Sequence, residues 1–162
     1  MTVKPGELYQ NRTFSKDELT QALHRVLDGL PYTLEEKVGE LFILIDGPIV
    51  LEVCRRLNQE LKFDYLKGLT AADYNDYLEV IYCLYSFDNA YSLIVKAKID
   101  ALDPRVDSVI SIWTGVDLQE REAAEMYGID FVGHPNLKKL LLEEGFEGFP
   151  LRKSFQLPVD EK

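Results

Sequence analysis

The sequence predicts a two-layer α+β domain with a largely antiparallel sheet. Two segments with apolar residues at helical spacing occur before residue 62, and the strand-like segments after them follow one another directly. A short link joins the last two strand-like segments, which is typical of an antiparallel hairpin. The 162 residues are 46% hydrophobic, enough for one core. The order α-β-α-β-β-β therefore favours a sheet with helices on one face, followed by a C-terminal helix and an extended tail.

The first predicted helix begins after Ser15. Ser15 and Glu18 have the spacing of a capping box, in which each side chain binds the other residue's backbone N–H. The apolar residues behind them repeat at helical spacing: Leu19, Ala22, Leu23, Val26 and Leu27. Gly29 and Pro31 predict the end of this helix.

A strand and a second helix are predicted next. From Val38 to Asp46 the chain is apolar almost without interruption, which indicates a buried strand. Gly47 and Pro48 then open a helix. Its predicted inner face consists of Val50, Val53, Cys54, Leu57 and Leu61.

Three strands are predicted over residues 63–70, 77–87 and 91–99. The link of Asp88, Asn89 and Ala90 makes the second and third a hairpin. The third strand alternates, with Leu93, Val95, Ala97 and Ile99 facing inward and Lys96 and Lys98 facing outward.

Further helical pieces are predicted after Pro104. Ser108 is expected to cap a short one that runs through Trp113, and Gly115 to break it. Asp117 and Glu120 have the spacing of a second capping box, for a helix ending at Gly128. No element is predicted beyond Gly133, because glycine and proline recur too often.

Charge and hydropathy exclude several function classes. The net charge of −10 repels phosphate backbones and anionic lipid headgroups, so neither nucleic-acid binding nor direct lipid binding is expected. The longest apolar runs, such as Leu41 to Ile45, are far shorter than the roughly 20 residues that span a bilayer. The N-terminus lacks the apolar core of a signal peptide, so we expect a cytoplasmic protein without direct membrane insertion.

Metal and disulfide chemistry is also unexpected. Cys54 and Cys83 have apolar neighbours and lack CxxC spacing, which predicts buried structural thiols. With only His24 and His134 besides, we expect no metal site and no iron–sulfur cluster in this chain.

The C-terminal segment is apolar yet has no periodic pattern. We divide the chain into an α+β core domain, residues 1–130, and an extended partner-binding tail, residues 131–162. The apolar tail residues are too many for a disordered segment to leave in water: Leu137, Leu140, Leu141, Leu142, Phe146, Phe149, Leu151 and Phe155. Either the tail lies along a neighbouring polypeptide, or it folds back over its own sheet.

A charged motif precedes this tail. Glu120-Arg121-Glu122 is followed by Glu125, by the apolar pair Met126-Tyr127, by His134-Pro135 and by Lys138-Lys139 before two leucines. A second run reads Gly148-Phe149-Pro150-Leu151-Arg152-Lys153. Both runs resemble the signatures of the 30-kDa subunit family of respiratory complex I, whose members are the C-type subunits of NADH-quinone oxidoreductase. The resemblance extends over roughly residues 38 to 156.

The resemblance implies a non-catalytic scaffold in the peripheral arm of a complex I-type NADH:quinone oxidoreductase, in which electron transfer to quinone is coupled to proton translocation. It implies a hetero-oligomer in which the chain packs on the large D-type subunit and beside the iron–sulfur subunits. The chain itself would bind no cofactor, because the iron–sulfur clusters, flavin and quinone would reside in partner subunits. Those partners would also hold it at the inner face of the cell membrane. The implied signature and partner interface comprises Glu120, Arg121, Glu122, Glu125, His134, Pro135, Lys138, Lys139, Pro150, Arg152 and Lys153.

Alternatives stay open at this point. The same scaffold occurs in related membrane-bound hydrogenases and in quinone reductases fed by ferredoxin or a deazaflavin. A different class would be a free-standing soluble enzyme with His134 and Glu122 as acid and base. The residues alone favour a solvated charged helix and a turn-stabilising His134, whereas the resemblance favours an Arg121 that bridges acids and fixes the following corner. The basic residues of the tail form either a solvated face or contacts with acidic partner surfaces.

Overall fold

The first helix, α1 (Lys16–Val26), begins at the predicted capping box. The structure is a computed structural model and describes residues 14–159. Ser15 Oγ accepts a hydrogen bond from the Glu18 N–H at 3.2 Å, and the Ser15 N–H donates to Glu18 Oε2 at 2.8 Å. These bonds satisfy donors that the first helical turn leaves free. Leu19 and the predicted apolar residues after it are buried, so the inner face of this helix is confirmed.

Two strands, β1 (Thr33–Lys37) and β2 (Glu40–Asp46), form a hairpin where the sequence predicted one strand. The predicted start at Val38 is wrong, because Val38 and Gly39 form the turn, with φ angles of 52° and 81°. Positive φ at both central residues gives a turn whose twist matches that of the two strands. β1 escaped prediction because three of its five residues are charged and its pattern is not apolar.

A 3₁₀ turn at Gly47–Ile49 leads into α2 (Val50–Leu61), whose buried residues are those of the predicted stripe. Three long strands follow, namely β3 (Tyr65–Asp73), β4 (Tyr77–Ser86) and β5 (Tyr91–Asp100). Along β5 the predicted inward residues are buried while Lys98 is exposed, so the alternation is confirmed.

The strands form a five-stranded sheet in the order β1-β2-β5-β4-β3. Every neighbouring pair is antiparallel except β2 with β5, which is parallel. The apolar faces of α1 and α2 form one core with the inward residues of the strands. The predicted α+β class with a largely antiparallel sheet is therefore confirmed. The outer face of the sheet carries half-buried and exposed side chains.

The two cysteines lie in different environments. Cys54, on α2, is buried, as predicted, and its burial raises the pKa of its thiol. Cys83 is only half-buried, because it lies on the outer face of β4, so the prediction of a buried thiol is wrong there. Both are free thiols.

A second, two-stranded parallel sheet consists of β6 (Arg105–Asp107) and β7 (Asp130–Val132). The helix α3 (Asp117–Tyr127) connects them in sequence and packs against β3. Gln119 Oε1 on this helix accepts a hydrogen bond of 2.5 Å from the Leu69 N–H. The bond lies next to a bulge between Leu66 and Gly68 and helps to cover the outer edge of the sheet.

Three predictions around the start of α3 are wrong. Residues 108–113 form a hydrogen-bonded turn rather than a helix, with the Trp113 indole N–H donating to the Phe63 carbonyl at 3.1 Å. Gly115 does not break a helix but lies in a 3₁₀ turn that runs directly into α3. Asp117 is the first residue of α3 and makes no capping bond. Its side chain and that of Glu120 have other partners, described below.

The segment that follows β7 contains no helix or strand over residues 133–159. The division proposed from the sequence at residue 130 falls within β7, where Phe131 belongs to the core. We therefore call residues 133–159 the tail. Among residues 14–159, no helix has the length and apolar character needed to cross a membrane.

Candidate partner-binding site

A buried carboxylate lies at the centre of the charged motif. Glu120, in the first turn of α3, is completely buried. Its Oε2 accepts a hydrogen bond of 2.5 Å from the Ser108 hydroxyl, and its Oε1 accepts one of 2.8 Å from the Val109 N–H. Glu120 thus ties α3 to the turn that follows β6, and the fixed α3 then positions the rest of the motif.

Burial raises the pKa of Glu120 above its ordinary value, because loss of water disfavours the charged form. The bonds from Ser108 and Val109 oppose this rise, as does the nearby His134, while Asp117 adds to it. A raised pKa in a buried carboxyl group can mark an acid–base catalyst. Here both oxygens are engaged by the chain's own donors, which supports a structural role.

His134 lies in the corner where the tail begins. A turn closes from Phe131 to His134, with the His134 N–H donating to the Phe131 carbonyl at 3.1 Å, and Gly133 supplies the positive φ of 85° that this turn requires. His134 Nδ1 accepts a hydrogen bond of 3.0 Å from the Asn136 N–H. Because a backbone N–H can only donate, Nδ1 carries no proton in this arrangement. Pro135, between them, restricts His134 to extended geometry.

The other ring nitrogen faces two carboxylates. His134 Nε2 is 3.0 Å from Asp117 Oδ1 and 3.9 Å from Glu120 Oε2, and the side chain is fully buried. Nε2 makes no hydrogen bond to either oxygen, because Asp117 Oδ1 does not lie along the N–H direction and Glu120 Oε2 is too distant. Glu122 is exposed and forms no ion pair with His134. The acid–base pair of the enzymatic alternative is therefore not assembled in the described chain.

One stripe of α3 binds the tail. Asp117, Arg121 and Glu125 follow one another at intervals of four residues, which places them on one face of the helix. Asp117 contacts His134, and Arg121 Nε donates a hydrogen bond of 3.0 Å to the Lys138 carbonyl. Among residues 14–159 Arg121 forms no ion pair, so it does not bridge acids within this chain, and pairing with acids at an interface stays a prediction.

Glu125 makes the most extensive of these contacts. Its carboxylate accepts hydrogen bonds from three successive backbone N–H groups, at 3.1 Å from Leu140, 2.9 Å from Leu141 and 2.6 Å from Leu142. Burial works to raise the pKa of Glu125, but these three donors and the nearby Lys139 outweigh it and lower the pKa. We call this arrangement the Glu125 latch.

The second run of the tail is held by backbone contacts. The Arg152 N–H donates to the Phe149 carbonyl at 3.1 Å and closes a turn. Pro150 is the second residue of this turn, a position that suits the fixed φ of proline. Within this turn the Leu151 N–H donates to the Met126 carbonyl at 3.0 Å. Arg152 Nη2 donates to the Ala101 carbonyl at 2.5 Å.

Two lysines complete the attachment of the tail. The Lys153 N–H donates to Asp73 Oδ2 at 2.8 Å. Lys139 Nζ donates to the Phe146 carbonyl at 2.7 Å, which closes a loop within the tail. The Lys138 side chain is exposed, and only its carbonyl is used.

The tail leaves part of its apolar surface in water. Four of its apolar side chains are partly buried: Leu137, Leu142, Phe146 and Phe155. Six others are largely exposed, and we call them the exposed tail residues: Leu140 (41%), Leu141 (60%), Phe149 (46%), Leu151 (51%), Leu157 (80%) and Val159 (87%). The tail thus folds back on α3 and on the ends of β3 and β5. Its backbone N–H groups find partners within the chain, while many of its apolar side chains stay exposed.

The sequence missed two carboxylates that organise this site. Asp117 was interpreted as a helix cap, although its four-residue spacing to Arg121 and Glu125 already marked a stripe. Asp73 gave no local signal, because its partner Lys153 is 80 residues away. Within the described chain, no group of three or more His, Cys, Asp or Glu side chains could hold a metal ion.

Comparisons with known proteins add a family relation. The family described as the 30 Kd subunit of respiratory-chain NADH dehydrogenase matches residues 43–161. The C-type subunit of the NADH-quinone oxidoreductase of Roseiflexus sp. (strain RS-1) is 37% identical over 128 residues, which cover 76% of this chain and 74% of the relative.

Two solved structures share the fold. A chain of the membrane-bound sulfane sulfur reductase, an archaeal respiratory membrane complex, aligns with a TM-score of 0.74 at 18% identity and covers 87% of this chain and 85% of its own length. A trypsin-resistant fragment of Nqo5 aligns with a TM-score of 0.57 at 24% identity and covers 73% of this chain and 98% of the fragment.

Proposed function

Because this chain belongs to the family of the 30-kDa subunit of respiratory-chain NADH dehydrogenase, we propose that it is a scaffold in the peripheral arm of a complex I-type NADH:quinone oxidoreductase. The membership confirms the resemblance read from the sequence. The complex supplies the chemistry, namely electron transfer to quinone coupled to proton translocation. This chain supplies a rigid surface on which catalytic subunits assemble.

One observation carries the proposal: the tail's backbone is held by α3 while the exposed tail residues face water. An apolar segment held in place without being buried has already lost part of its conformational entropy, so a partner can cover it at lower cost. This supports the tail as the partner-binding segment. It also supports a role for the charged motif in positioning the tail.

The partners that we propose are the large D-type subunit and the iron–sulfur subunits of the complex. The iron–sulfur clusters, flavin and quinone would reside in those and other partner subunits, and the chain would be held at the inner face of the cell membrane through them. Both oxygens of Glu120 accept hydrogen bonds from within the chain, and the His134 imidazole lies against Asp117. These contacts support a chain without catalytic residues of its own.

Purification of the tagged full-length chain from its native host tests this function. We expect the iron–sulfur subunits to co-purify, and quinone reduction to be catalysed by the complex but not by the isolated chain. A flavin-binding subunit in the preparation would favour NADH as donor over ferredoxin or a deazaflavin. Turnover by the isolated chain, or purification without other subunits, would contradict the proposal.

A matched pair of variants locates the interface. Leu141→Asp with Leu151→Asp introduces charge at two exposed tail residues, whereas Leu102→Asp does so at a leucine that is 95% exposed but outside the tail. We expect the first variant to lose the partner subunits and the second to retain them, since only tail residues would be covered in the complex. Equal retention by both variants would show that the tail is not the interface.

A further inference from the structure

The turn between β3 and β4 is fixed to the tail by one carboxylate. Asp73 Oδ1 accepts a hydrogen bond of 2.8 Å from the Asn75 N–H, and Asp73 Oδ2 accepts one of 2.8 Å from the Lys153 N–H. The Tyr74 N–H also donates to the Tyr77 carbonyl at 3.0 Å, which closes the turn. Asp73 thereby holds the β3–β4 turn beside the tail, although Asp73 and Lys153 are 80 residues apart in sequence.

This arrangement stacks two tyrosines and places a lysine at each end of the stack. The rings of Tyr74 and Tyr77 are 4.9 Å apart between centroids and inclined by 16°. Lys153 Nζ lies 6.0 Å from the Tyr74 centroid, and Lys98 Nζ lies 4.5 Å from the Tyr77 centroid. We call these four residues the cation–aromatic ladder. It runs from the tail to the outer face of the sheet.

The ladder is accessible to solvent. Tyr74 is 43% exposed, and both lysines are exposed. Within residues 14–159 neither Lys98 nor Lys153 forms an ion pair, although the chain carries a net charge of −10. Glu79, opposite Lys98 on the neighbouring strand, is instead paired with Lys96 at 3.1 Å.

The ladder also continues into a groove. A depression of about 440 Å³ on the outer sheet face is lined by Tyr77, Lys98, Asp46 and the Glu79–Lys96 pair. The groove's own acids would repel a polyanion, as would the overall charge of the chain. Asp46 and Glu79 flank Lys98 on the neighbouring strands and Asp73 lies beside Lys153, so only single, well-placed carboxylates fit at the two lysines. The rings between the lysines offer apolar stacking surface.

We propose that the cation–aromatic ladder binds a carboxylate-bearing segment of a partner polypeptide. One acidic side chain would pair with Lys98 and another with Lys153, while apolar atoms of the same segment lie on Tyr74 and Tyr77. The inference rests on the proposed function and deepens it. Lys153 and Leu151 both belong to the tail, so occupation of the ladder would extend the proposed interface from the tail onto the sheet.

Charge reversal in the assembled complex tests this site. We expect Lys98→Glu with Lys153→Glu to lower the amount of chain that co-purifies with the partner subunits by about tenfold or more, with each single variant intermediate. Lys62→Glu is the control, because Lys62 is exposed at the end of α2, outside the ladder. Raising the salt concentration should weaken partner binding by the wild-type chain but not the residual binding by the double variant. This difference would support the ion pairs.

Assembly of the charge-reversed double variant at the wild-type level would overturn the inference. If that variant unfolds at a lower temperature than Lys62→Glu, the neutral double variant Lys98→Gln with Lys153→Gln replaces it. We expect the neutral variant to lower the co-purified amount by about half as much on a logarithmic scale. If Leu141→Asp with Leu151→Asp abolishes assembly while the ladder variants do not, the ladder inference alone fails. If the wild-type chain co-purifies with no partner, the proposed function fails.

Discussion

The Glu125 carboxylate accepts a hydrogen bond of 2.6 Å from the Leu142 N–H, 17 residues further along the chain. Leu140 and Leu141 donate to the same carboxylate. Backbone donors in a segment without helix or strand lack the partners that a regular ladder provides, and this single carboxylate accepts from three of them.

Glu125→Gln is expected to open the latch without unfolding the domain. The amide keeps one acceptor oxygen, but its NH₂ group faces backbone donors, so the tail loses about 1–3 kcal/mol of local stability. Hydrogen exchange of residues 140–142 should accelerate by about 5- to 150-fold, while exchange in β4 stays unchanged. Glu122→Gln, on the exposed side of the same helix, should leave both rates unchanged, and equal acceleration in the two variants would refute the latch.

The latch should weaken only at low pH. The folded pKa of Glu125 is lowered, so its stabilising contribution is complete above the unfolded value of about 4.3 and is lost as pH falls through the lower folded value. The amide proton shift of Leu141, followed by NMR, should therefore titrate with a midpoint below the ordinary glutamate range. Glu125→Gln should abolish this titration. A midpoint at or above the ordinary value would count against the latch.

Glu120 should show the opposite dependence on pH. Its folded pKa is raised, so its contribution to stability falls as pH rises from about 4.3 through the raised value. Glu120→Gln has no such proton to lose, so its free energy of unfolding should rise relative to wild type over that range. Urea unfolding at a series of pH values measures this difference, and a difference that does not vary with pH would exclude the raised pKa.

Truncation of the same side chain should be costly at every pH. Glu120→Ala leaves the Ser108 hydroxyl and the Val109 N–H without their partner, and we expect a loss of about 2–4 kcal/mol. Ser108→Ala removes only one of the two bonds and should cost less. Equal stability of wild type and Glu120→Ala in urea unfolding would contradict this assignment.

Gly128 and Gly133 provide a matched pair of positions that tests whether the Phe149 ring packs on Gly128. Both have positive φ, at 75° and 85°, so alanine at either position strains the backbone by about 1–2 kcal/mol. A Cβ at Gly128 would lie 2.6 Å from the Phe149 ring, whereas one at Gly133 meets nothing within 4 Å. Thermal unfolding should show a larger loss for Gly128→Ala than for Gly133→Ala.

A double-mutant cycle isolates the clash. In the Phe149→Ala background, Gly128→Ala should cost no more than Gly133→Ala, because the ring that the new Cβ meets is gone. If the cost of Gly128→Ala is the same with and without the ring, Phe149 does not lie on Gly128.

Local patterns were read correctly where the partners are close in sequence. The Ser15–Glu18 capping box spans three residues, and the alternation along β5 follows from strand geometry alone. The same reasoning gave the wrong result for Asp117, since its spacing to Glu120 also suits a capping box. In the structure Glu120 is buried and bonded to Ser108 instead of forming a capping box with Asp117.

The sequence by itself determined which segments become most of the helices and strands, which of their faces are apolar, and which family the chain belongs to. Only the tertiary structure decided that β1 pairs with β2, that Asp73 holds Lys153, and that the tail lies on α3. The physical reason is that residue spacing records the local backbone period and the direction of each side chain. The partner of a carboxylate or of a backbone N–H is chosen by the folded surface as a whole, across separations that no local period encodes.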